Sequence, residues 1–140
     1  MDFDDAVKRG LLQKVATDKK MIEKEIKNAE YDIDKAKNSL EEEDYKWAVI
    51  KAYYSMLDAS RALLFSIGFR EKKHFAITVA LEELARNNKI DLKLVSDFHA
   101  ALSAREDANY RNTYSKETAD YIVEIAEEFL KSVKKLLKKG

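Results

Sequence analysis

Ala48-Val49-Ile50-Lys51-Ala52-Tyr53-Tyr54-Ser55-Met56-Leu57-Asp58-Ala59-Ser60-Arg61-Ala62-Leu63-Leu64 is apolar on almost every side of a helical wheel. Only Lys51, Ser55, Asp58 and Arg61 draw a thin polar line along it. A helix with apolar residues all round cannot lie on a surface, so this one is expected at the centre of a helical bundle. The same placement leaves Asp58 and Arg61 with little open solvent. Charges in such positions need partners, and they are the first place to look for function.

Working outward, the flanking segments supply the shell. Ile22, Ile26, Ala29, Ile33, Ala36 and Leu40 recur at alternating spacings of four and three, with charged residues on the other faces. That seam predicts a long amphipathic helix from about Asp18 to Glu42, with Thr17 as its N-cap. Asp44 opens the central helix, which should run to about Ile67 and stop at Gly68. His74 begins a shorter helix carrying Ile77, Leu81 and Leu84 and ending at Asn87-Asn88. Asp91 caps the next, whose inner face is Leu94, Phe98, Ala101 and Leu102 and which ends near Tyr110. Arg111 to Ser115 read as a loop. A last helix from about Lys116 to Lys138 carries the seam Ala119, Ile122, Ala126, Phe129, Val133 and Leu137. Residues 1–16 form a short lead in which Val7, Leu11, Leu12 and Val15 could make one helical face, weakened by Gly10. No β-type alternation is visible. The expectation is a single domain over 1–140: an all-α, up-and-down bundle of four main helices with one or two short ones.

Composition narrows the function. With no Cys, the chain has no disulfides, thiolate nucleophiles or Cys-based zinc sites. A formal net charge of zero removes the bulk attraction of a dedicated DNA-binding domain. No apolar run is long enough to span a membrane, and the acidic start does not resemble a signal peptide, so a cytoplasmic protein is expected. Glu71-x-x-His74 has the spacing of half a di-metal site, but no second pair exists, because Ser96 stands three before His99. Neither a metal nor a cofactor is expected.

Three stretches together resemble the HEPN family of small helical bundles. Ala52-Tyr53-Tyr54 through Ala59-Ser60-Arg61-Ala62-Leu63-Leu64 is similar to that family's Tyr-Tyr helix; Gly68 and His74 follow at the family's distance; Arg105-Glu106-Asp107-Ala108-Asn109-Tyr110 resembles the Arg-x-x-Ala-Asp-Tyr segment of one prokaryotic branch. The resemblance implies a homodimer that pairs with a minimal nucleotidyltransferase in a toxin–antitoxin-like system. It also implies, for many members, metal-independent RNase activity from an Arg followed after four to six residues by His. Here the positions five to seven after Arg105 hold Tyr110, Arg111 and Asn112. None of these residue types does imidazole-like acid–base chemistry near pH 7. No catalytic residue is therefore assigned, and the expected function is a non-catalytic interaction module that binds a partner and RNA or a nucleotide. An RNase with an altered site and a purely structural bundle are the alternatives.

The expected site is one polar cluster of Tyr54, Asp58, Arg61 and Arg105, with Tyr110 and Arg111 beside it. Arg105 falls on the inward face of its helix, so it is expected to pair with Asp58, with Arg61 alongside. His99 precedes Arg105 by six residues, about 240° around an ideal helix, so the two diverge within one chain and could meet only across a dimer.

Overall fold

A computed structural model describes residues 1–139. Eight elements follow in chain order: α1 (Phe3–Lys8), β1 (Leu12–Lys14), α2 (Lys19–Glu41), α3 (Tyr45–Ser66), β2 (Phe69–Glu71), α4 (Phe75–Arg86), α5 (Leu92–Tyr110) and α6 (Lys116–Lys139). The architecture is all-α, with α2, α3, α5 and α6 as the long helices. As its composition requires, α3 is the core: fifteen of its 22 residues are buried, and it packs against α2, α5 and α6. Tyr53, Ile50, Met56 and Leu64 are almost wholly enclosed, and the rings of Tyr53, Phe98 and Phe129 follow one another across α3, α5 and α6. Small residues bring α2 close to α3: Ala29 and Ala36 face the seam, and Ser55 Oγ donates to the Ala29 carbonyl at 2.7 Å.

Helix starts follow the side-chain oxygens that can accept orphan N–H groups. Asp18 accepts from Met21 N, Asp44 from Trp47 N, and Asp91 from Lys93 N. The cap of α2 is thus Asp18 and not Thr17. The Thr17 hydroxyl instead donates to the Phe65 carbonyl at 2.8 Å and ties the lead to the end of α3.

The N-terminal lead departs from expectation. Helix α1 ends after Lys8, where Gly10 takes φ +74 and its N–H reaches the Val7 carbonyl. Val7, Leu11, Leu12 and Val15 therefore do not share one helical face. Residues 12–14 pair antiparallel with 69–71, Leu12 opposite Glu71 and Lys14 opposite Phe69. Strands of three residues are too short to show a period of two, so this ribbon was invisible as alternation. It forms because Gly68, at φ +82, turns the chain leaving α3 back beside the lead. No helix among the described residues is long and apolar enough to cross a membrane.

Candidate functional site

The structure divides the expected polar cluster in two. Tyr53 and Asp58 are five residues apart on α3, which sets them about 140° apart around the helix. Helix α5 lies against the Tyr53 face, while α2 and β2 lie against the Asp58 face. Arg105 and Asp58 therefore do not pair, and this corrects the expectation of one cluster.

On the Asp58 side, Arg61 is the hub. Its Nε and Nη2 both donate to Glu71 Oε2, at 2.8 and 2.5 Å, and its Nη1 reaches Glu25 at 3.4 Å and Asp58 at 3.7 Å. Burial works against the charge on Arg61, but the Glu71 hydrogen bond and the surrounding carboxylates outweigh it and raise its pKa. One guanidinium cannot neutralise the whole group. Burial, a hydrogen bond with Asp32 and the charges of Asp32 and Glu25 push the Asp58 carboxyl up to about 9, against the opposing pull of Arg61. Asp58 Oδ2 is buried with no hydrogen-bond partner among the described residues. Raised this far above the ordinary carboxylate range, the Asp58 carboxyl keeps its proton at neutral pH. Glu71 of the Glu-x-x-His spacing is thus held by Arg61, while His74 stands exposed at the start of α4. No group of three or more His, Asp or Glu side chains able to hold a metal occurs among the described residues.

On the other side, the Arg105 guanidinium lies between two aromatic faces, 5.4 Å from the ring centre of Tyr53 and 5.4 Å from that of Tyr110. Stacking of this kind contributes about 0.5–2 kcal/mol and fixes the plane of the guanidinium. Arg105 has no carboxylate partner and no hydrogen bond among the described residues, and its Nε is buried unsatisfied. Tyr53 beneath it is enclosed, and burial pushes its phenol up to about 12 against the pull of Arg105, so it stays neutral. Tyr54 is half-buried beside it, with the two rings 5.9 Å apart. Tyr110 is 70% exposed. Arg111 ends α5 at the rim, where its Nη1 bonds Asp107 at 3.0 Å. Tyr54, Arg105 and Tyr110 thus come together around Tyr53; Arg111 is adjacent but engaged, and Asp58 and Arg61 belong to the other cluster.

An oriented guanidinium without a carboxylate suits an anionic group with planar or phosphate oxygens. Acid–base chemistry is another matter. His99 lies at the far side of α5, exposed, with Nε2 3.6 Å from Glu82 Oε1 on α4.

Tyr53, Glu25, Asp32 and Glu71 belong to these clusters beyond the residues expected from the sequence. Glu25 and Asp32 carried a signal: they stand seven apart, flanking the apolar seam of α2 and not on its outer face.

A family model described as HEPN domain matches residues 22–136. The chain belongs to the HEPN family. A curated relative, "Putative toxin MJ0142" from Methanocaldococcus jannaschii, is 32% identical over 122 residues, which is 85% of this chain and 83% of the relative. The HEPN match takes in α3, the Arg105 helix and both polar clusters. It begins at Ile22, inside α2, so α1 and β1 lie outside it.

Proposed function

We propose that this HEPN protein is a toxin-like interaction module that binds and does not cleave: a homodimer paired with a minimal nucleotidyltransferase, whose Arg105 site receives a phosphate of RNA or of a nucleotide. The observation that carries the reading is Arg105 itself, stacked between Tyr53 and Tyr110 with no carboxylate on it and no imidazole beside it. Stacked Tyr and Arg side chains also serve single-stranded nucleic-acid binding. The toxin-like assignment draws on the name of the curated relative and on the family.

The test is incubation with mixed single-stranded RNAs, with binding read by anisotropy and cleavage read on gels, and with co-purification from the native host to identify the partner. Wild type should bind RNA or nucleotide without appreciable cleavage. Loss of general acid–base help removes about 10²–10⁴-fold in rate. Arg105→Ala should weaken binding by about tenfold or more. Robust cleavage that survives EDTA and vanishes in Arg105→Ala would replace this reading by that of an RNase. In that case His99 of a second copy would be the group to examine.

A further inference from the structure

Two apolar seams run out at the same end of the bundle without being covered. Ile22 and Ile26 continue the seam of α2, and Leu137 continues that of α6, yet all three are only half-buried. Between them opens a groove of about 1170 Å³, floored by Leu63 and Ile67 at the end of α3 and by Leu84 of α4. Ile67 is 40% exposed within it. The groove exceeds the roughly 300–1,000 Å³ typical of a small-molecule site. Along α2 it extends from Lys19 to Glu30, about 16 Å or three helical turns.

The rim is cationic once internal pairs are removed. Lys134 is bonded to Glu30 at 2.9 Å, and Glu83 to Arg86 and Asn87. Lys19, Lys27, Lys89 and Lys138 have no ion-pair partner among the described residues, against Asp4 and Glu23. These lysines come from α2, from the turn after α4 and from α6. They are spread along the groove and not gathered at one end as a single carboxylate headgroup would need.

We infer that this groove is a docking site for an amphipathic helix with an acidic polar face, contributed by a protein partner. Three turns of apolar floor suit anchors at i, i+3, i+4 and i+7, and the flanking lysines suit glutamates or aspartates beside those anchors. A second copy of this chain does not fit the description. The half-covered ends of its α2 and α6 carry the same Lys19, Lys27 and Lys138, so a second copy would bring like charge to the rim, and its acidic α1 has only six residues and lies at the groove edge. The inference does not rest on the Arg105 reading. Leu63 lies ten residues beyond Tyr53 on α3, about 15 Å along the axis, so either site can fail alone.

The test uses a labelled synthetic helix with Leu at the anchor positions and Glu elsewhere, a matched peptide with Lys for Glu, and laurate as the acyl-chain probe. Binding to the full chain is read by fluorescence polarisation. The acidic peptide should saturate, and its affinity should fall with salt. It should weaken about tenfold in Lys19→Glu/Lys27→Glu, whose surface positions leave the fold intact by circular dichroism, and also in Ile67→Asp. The basic peptide should not saturate. Equal binding of the two peptides would overturn the proposal. So would an affinity unchanged in both variants, no saturation by the acidic peptide, or laurate filling the groove where that peptide does not.

Discussion

Asp58 and Arg61 stand three residues apart on one helix, yet each is held by groups from elsewhere. Asp58 keeps its proton because burial and Asp32 disfavour its charge, and the consequence for stability has a definite sign. An unfolded Asp loses its proton near pH 4, whereas the folded one holds it to about pH 9. Between these values the native state binds the extra proton, so this contribution to stability is complete below about pH 4 and is lost as pH rises towards 9. Asp58→Asn removes the linkage and can still donate to Asp32. Urea unfolding across that window should show the variant gaining on wild type as pH rises; a constant difference would place the proton elsewhere. Arg61→Ala should act in the opposite direction. It strands Glu71, whose side chain is 4% exposed, while Arg61 itself is 19% exposed. The cost should fall near the lower end of the range for breaking a buried pair, about 3 kcal/mol, measured by urea unfolding at neutral pH. That these two residues needed partners was legible in the sequence. Which partners was not, because Glu25, Asp32 and Glu71 arrive on other elements, whose register against α3 is set by packing.

At the scale of elements, apolar period and capping chemistry made the five longer helices legible to within a residue or two. The ribbon was not legible, because a three-residue strand has no measurable period and its partner lies more than fifty residues away. The device that creates it is Gly68. Its φ of +82 lies in the region that costs a side chain conformational energy, while an added Cβ would meet only the Val15 carbonyl at 3.8 Å, an ordinary contact. Gly68→Ala should therefore cost about 1 kcal/mol through backbone strain and not through a clash, lowering Tm by about 3–5 °C. Because the ribbon also carries Glu71 to Arg61, hydrogen exchange in the variant should speed up at Val15 and Lys72, whose N–H groups bond Gly68 O and Leu11 O. An increase confined to the helix termini would show that the turn tolerates a side chain.

For the whole molecule, the site's exposed aromatics bear on assembly. Tyr110 is 70% exposed and Tyr114 44% exposed, at the end of α5 and in the loop beyond it, although each could bury a large ring area. In the proposed homodimer these residues and Arg105 line the interface. The second copy would then cover Tyr110 and sharpen the Arg105 site by excluding water from one side. Sedimentation should find a dimer at about tens of micromolar. An aromatic anchor near the centre of an interface loses about 2 kcal/mol or more on truncation, so Tyr110→Ala should weaken dimerisation by about 30-fold or more. Tyr121→Ala, also at an exposed tyrosine but on α6, serves as the control. If both variants dimerise like wild type, the interface lies on another face. If wild type is monomeric at these concentrations, Arg105 must meet its anion from one chain alone, and RNA binding should then show no dependence on protein concentration beyond simple saturation.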